Sequence, residues 1–181
     1  MLLLRFSFRR NAQNYIGKLW DKNDNLVDAA VVKIEKRSTM ASPPIELCGY
    51  SGYPQVSMTY FSDSTLKSYE GQVIYNMYRI GHLTGYKGGK ARIYYYEPTA
   101  PDGRPYCLLV IYYDPEWKPT QQGDSGSPLL KVSPIPRTPY VLVTITGIFT
   151  SLRPADNPPF IEFRAVECVN KFYGVVHRYG E

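Results

Sequence analysis

Gln122-Gly123-Asp124-Ser125-Gly126-Ser127-Pro128-Leu129 is the stretch on which the reading of the fold turns. A serine that acts as a nucleophile needs its hydroxyl on a tight, open turn, with backbone N–H groups beside it aimed at the place where an oxyanion forms. Glycines on either side of Asp124-Ser125 permit such a turn, and Gly123 has no Cβ to crowd the oxyanion. Ser125 is therefore the candidate catalytic nucleophile, with the N–H groups of Gly123 and Ser125 as the candidate oxyanion hole. The same residues equally suit an ordinary β-turn between two strands, because Gly, Asp, Ser and Pro are the usual turn formers.

The flanking pattern is that of strands. Beyond the turn, 129–132 reads as a strand and 140–150 as a second, strongly β-branched one. Before it, the Pro-flanked loop 114–122 follows short strand candidates at 45–48, 56–61, 68–80, 91–96 and 106–113. Tyr86-Lys87-Gly88-Gly89 is expected to be a hairpin hinge, since two glycines there accept positive φ. The one predicted helix is 165–176, where Val166, Val169, Phe172, Tyr173 and Val176 recur at three-to-four spacing. Toward the start of the chain, 15–20 and 26–34 read as two strands separated by a turn at Lys22-Asn23-Asp24-Asn25. Residues 35–44 then become polar and end in Ser42-Pro43-Pro44, so a linker is placed there between a first unit, 1–40, and a second, 41–181.

Composition agrees with an all-β chain. Seventeen tyrosines, fifteen prolines and fourteen glycines among 181 residues favour strands punctuated by turns. The net charge of +5 raises the question of a nucleic-acid partner, but the lysines and arginines are scattered and read as a solvated surface, so none is expected. Three cysteines, Cys48, Cys107 and Cys168, allow at most one disulfide, and no Cys/His group has zinc-ligand spacing. The glycine-lysine stretch near 88 lacks the spacing of a phosphate loop. No metal and no cofactor is expected. Met1-Leu2-Leu3-Leu4 meets Arg5 too soon for a signal peptide, and no later run has membrane-spanning length, so no membrane partner is expected either.

The serine segment resembles that of the chymotrypsin-like (trypsin-like) serine peptidases, especially the glutamyl-endopeptidase branch, where Ser-Gly-Ser-Pro is usual. It departs from the Gly-x-Ser-x-Gly elbow of the α/β-hydrolases at Ser127. Three further segments resemble the family in order. Asp28-Ala29-Ala30-Val31-Val32-Lys33-Ile34 is similar to the stretch that supplies the triad aspartate. Cys48-Gly49-Tyr50-Ser51-Gly52-Tyr53-Pro54 is similar to the opening of the second barrel, and Gly147-Ile148-Phe149-Thr150-Ser151 to the strand whose backbone pairs with substrate. The resemblance implies a double β-barrel with the first barrel incomplete and the second complete with a C-terminal helix. It implies Asp28 and Ser125 as catalytic residues, and Pro119, Thr120, Phe149, Thr150 and Ser151 as substrate-binding residues. No carboxylate is implied at the base of the primary pocket, which argues against a preference for Lys or Arg there.

A triad also needs an imidazole to take the serine proton. In this family the histidine precedes the aspartate, and residues 1–27 contain none; His82 and His177 fall elsewhere. The expected function is thus a serine-type endopeptidase domain, read as a fragment and inactive as given, whose partners are a peptide or protein substrate and a missing N-terminal segment or second chain. The alternative is a non-catalytic pseudoprotease that binds a peptide or protein. Secretion is implied by the resemblance alone, and Cys48 stands where many relatives have half of a disulfide whose other half is missing here.

Overall fold

The computed structural model describes residues 17–23, 29–34, 55–81, 85–112, 124–153 and 160–174. Near the start, β1 (Gly17–Asn23) and β2 (Ala29–Ile34) form an antiparallel two-stranded sheet of their own. The boundary expected at 40/41 lies outside the described residues, as do the strand candidate at 45–48 and the linker.

The larger sheet starts with β3 (Gln55–Thr59). A short helix, α1 (Asp63–Ser68), follows it where the sequence predicts none. The Ser62 hydroxyl caps α1 by accepting the Thr65 N–H at 3.1 Å, with Asp63 in the first turn and Lys67 in the last, each on the favourable side of the helix dipole. Six residues are too few to show a helical period, and the strand expected over 68–80 starts only after the helix. The observed strand is β4 (Val73–Gly81).

Next comes β5 (Gly85–Thr99), which replaces the expected hinge at 86–89 with continuous strand; the chain reverses between Gly81 and Gly85, which pair in the register. The two glycines serve a bulge instead. Pairing jumps from Tyr75↔Lys90 to Tyr78↔Gly88, with Asn76 at φ 58 and Gly88 at φ 137. A Cβ at Gly88 would stand 2.2 Å from the Met77 carbonyl oxygen, so backbone approach at this point demands glycine.

β6 (Pro105–Tyr112), β7 (Pro128–Pro134), β8 (Val141–Arg153) and β9 (Phe160–Ala165) complete the sheet, and α2 (Val166–Phe172) follows directly. The order is β3-β8-β7-β4-β5-β6-β9, and β8 also pairs with β9. Six strands, β4 to β9, thereby close into an antiparallel barrel, with β3 added in parallel to the first part of β8. Closure removes the sheet edges that a strand set of this size would otherwise expose.

The barrel interior is filled by side chains such as Met77, Ile93, Leu109, Ile161 and Phe163, all fully buried. The long β8 makes closure possible by changing partners: 141–144 lies between β3 and β7, whereas 147–153 pairs with β9. Cys107 on β6 and Cys168 on α2 form a disulfide that fastens the tail helix to the barrel. The chain-entropy model assigns a cross-link closing a loop of this length about 4 kcal/mol. Asp63 adds a second tie, accepting from the Tyr96 hydroxyl at 2.6 Å and from Lys171 Nζ at 2.8 Å, so α1, β5 and α2 meet at one carboxylate.

Candidate functional site

The serine turn joins the approach to β7 with the middle of β8. Asp124 to Ser127 is a β-turn in which the Ser127 N–H donates to the Asp124 carbonyl at 3.0 Å, and the Ser127 hydroxyl donates to the same oxygen. Gly126, at φ 89, occupies the third position of the turn, where a type II turn requires positive φ. Two further backbone bonds clamp the turn to β8: Gly126 N–H to the Phe149 carbonyl at 2.9 Å, and Phe149 N–H to the Ser127 carbonyl at 2.8 Å.

Beneath the turn lies a buried ion pair that the sequence analysis does not include. Arg79, on β4 opposite Leu129, is fully buried, and its Nη1 lies 3.3 Å from Oδ2 of the equally buried Asp124. Its guanidinium carbon also stands 5.8 Å from the centre of the Phe149 ring. Burial pulls the arginine below its ordinary pKa, and the charge and hydrogen bond of Asp124 push it back up. Such a pair is costly to desolvate and costly to break, because removing either partner takes a neutralising charge away from the other in the core. Asp124 thus faces inward as an anchor while its neighbour Ser125 is exposed to solvent. An arginine between Tyr78 and Ile80, the one charged residue of β4, is the signal available in the sequence.

Of the residues singled out by resemblance, the structure describes Ser125, Phe149, Thr150 and Ser151. Asp28, Gly123, Pro119 and Thr120 lie outside the described residues, as do His82, His177 and Cys48. Among the described residues none hydrogen-bonds the Ser125 hydroxyl. Phe149 is brought to the serine turn through its backbone, and its ring is buried between Arg79 and Phe163. Thr150 and Ser151 turn their hydroxyls to β9, donating to the Glu162 carbonyl at 3.2 Å and to Glu162 Oε2 at 2.5 Å.

The backbone beyond Phe149 has a different environment. β7 pairs with β8 no further than Ile148, and the serine turn bonds Phe149. From Ser151 to Arg153, β8 pairs with β9 alone among the described residues, and no described strand takes its other edge. Strand geometry directs the N–H and C=O of every second residue to that edge, the arrangement that accepts an added peptide strand. Among the described residues no group of His, Cys, Asp and Glu could hold a metal ion, and no helix is long and apolar enough to cross a membrane. No protein-family model matches the chain, and no curated protein matches it.

Proposed function

We propose that the chain is a peptide-binding barrel of the serine-endopeptidase type, with Ser125 as nucleophile and the open edge of β8 at 150–153 as the track for an extended peptide. The carrying observation is the clamp between them: the turn that exposes Ser125 is bonded through Gly126 and Ser127 to Phe149, the last residue before that edge. In the hydrolytic reading, the Ser125 hydroxyl oxygen attacks the scissile carbonyl carbon as its proton passes to a base. The base then protonates the leaving amine, and water releases the acyl group. A hydroxyl without a base is a poor nucleophile at neutral pH, so this step awaits an imidazole from outside the described residues.

A second reading, a binding module that holds a peptide without cutting it, is favoured by the lack of any described partner on the Ser125 hydroxyl. Both readings share the peptide track, and two measurements test them. The chain alone should react little with a fluorophosphonate probe. Strong labelling that disappears in Ser125→Ala overturns that expectation and promotes His82 or a second chain as the base. An extended peptide at millimolar concentration should shift and protect the backbone amides of 150–153. Unperturbed amides would refute the track itself.

A further inference from the structure

The outer face of β4 and β5 gathers aromatic and basic side chains that the serine site does not use. Ile74, Ala91 and Ile93 are buried in the barrel core, so the residues that alternate with them lie outside. In the register Tyr75 stands opposite Lys90, and Val73 opposite Arg92. Lys90, Arg92 and Tyr94 follow one another along β5 and are all exposed, over about 14 Å of strand. Tyr75, 68% exposed, and Tyr94, 42% exposed, are two of the three large hydrophobic side chains exposed among the described residues. The Tyr94 ring stacks on Phe160, 4.7 Å apart and 8° from parallel, and Tyr112 leans on both. The Arg92 guanidinium carbon lies 5.9 Å from the centre of the Tyr112 ring. Tyr75 makes no ring contact among the described residues.

The surrounding charges leave this face positive. Arg92 makes no ion pair among the described residues. Glu97, the next charged residue along β5, falls beyond a bulge, in a row with Leu108 and Arg164. Glu70, which accepts the Tyr96 N–H, is paired with Lys67, and Glu162 on β9 is paired with Arg153. Asp63 on α1 is held by Lys171. On the other side of β4, β7 brings a further cation, Lys131, opposite Met77. Along the chain these residues are scattered, which is why no nucleic-acid partner is expected from sequence; the strand register assembles them.

We propose that this face binds single-stranded nucleic acid, with bases stacked on Tyr75 and Tyr94 and phosphates at Lys90 and Arg92. Aromatic platforms beside a cationic track are the means by which single strands are held without sequence preference. A duplex keeps its base faces in its own stack and could use the cations alone. An acidic peptide likewise brings charge without flat rings. The net charge of +5 favours approach of a polyanion. The inference goes beyond the reading of Ser125 and does not depend on it, and no residue of 150–153 belongs to the face.

The test is fluorescence anisotropy of a labelled oligothymidine of about ten nucleotides, titrated with the full chain. Binding should saturate, and log K should fall with log salt at a slope of about −1.4, about −0.7 for each of two phosphates. Lys90→Gln and Arg92→Gln should each bring that slope about 0.7 closer to zero. Tyr75→Ala, at an exposed position that spares the fold, should weaken binding about tenfold, whereas Tyr75→Phe keeps the ring and should retain it. A duplex of matching length and an oligoglutamate peptide should each bind about tenfold more weakly than the single strand. Amide shifts should fall on β4 and β5 and spare 150–153, which separates this face from the peptide track. Absence of saturation, a flat salt response, equal binding of the duplex or the acidic peptide, unchanged affinity in Tyr75→Ala, or shifts confined to 150–153 each overturns the proposal.

Discussion

Breaking the Arg79–Asp124 pair tests how the serine turn is held. Both side chains have 0% exposure, so Asp124→Asn removes the carboxylate charge that faces the buried guanidinium, and Arg79→Met removes the guanidinium that faces the buried carboxylate. Loss of one member of a buried pair costs about 3–5 kcal/mol. For a chain of this size, at about 2–4 °C per kcal/mol, melting should fall by about 6–20 °C. Urea unfolding followed by circular dichroism would measure each change, with an unaltered denaturant slope showing that the same surface is still exposed. The double variant Arg79→Met/Asp124→Leu replaces both charges with apolar groups and should recover at least half of the loss, since a buried pair and its hydrophobic substitute are often equivalent. Amide exchange gives the local reading: the Gly126 and Ser127 N–H groups, which close the turn and clamp it to β8, should exchange faster in each single variant. Single changes below about 1 kcal/mol, or a double variant whose loss equals the two singles added together, would refute the claim that the pair acts as one buried unit.

Three other outcomes follow from positions elsewhere. Gly88→Ala puts a Cβ 2.2 Å from a backbone oxygen at φ 137 and should destabilise by about 2 kcal/mol or more. Gly89→Ala, with φ 131 but nothing within 4 Å, should cost less, and matched urea titrations decide the order. Tyr96 is fully buried, and burial, then its hydrogen bond to Asp63, raises its pKa above the ordinary value of 10.0. A raised folded value means its contribution is complete below about pH 10 and is lost as pH rises beyond, with a slope approaching about 1.4 kcal/mol per pH unit. Tyr96→Phe should remove that part of the alkaline slope, and Tyr95, also raised, should leave a remainder of the same sign. Ser125→Ala should leave stability within about 0.5 kcal/mol of wild type, measured in the same urea series.

Where a local signal carries its own geometry, the fold was legible. Val143 and Ile145 mark β8 by their branching, and Asp124 to Ser127 announces a turn by its residue types. The barrel-closing strand is not among the expected ones, although Ile161-Glu162-Phe163-Arg164-Ala165 alternates apolar and polar residues. It runs into α2 with Ala165 as an N-cap that makes no side-chain hydrogen bond, so no turn residue separates the two periods and the helical spacing absorbed the boundary. Gly88-Gly89 misled for the opposite reason: positive φ serves a bulge as readily as a hinge, and only the partner strand distinguishes them. The Cys107–Cys168 pairing and the Arg79–Asp124 contact join residues far apart in the chain, and neither has a local signature.

Each residue of the serine turn except one has a structural task. Asp124 anchors to Arg79, Gly126 supplies the positive φ and a bond to β8, and Ser127 closes the turn with both its N–H and its hydroxyl. Ser125 is exposed, and no described group bonds its hydroxyl. An ordinary β-turn needs only the first three, so its geometry accounts for them and leaves the fourth open to chemistry. Removing the Ser125 hydroxyl therefore separates the alternatives in a way that changing Asp124 cannot. An effect on probe labelling or peptide binding in Ser125→Ala, with stability retained, belongs to chemistry at the hydroxyl, whereas a variant of Asp124 alters the support and the site together.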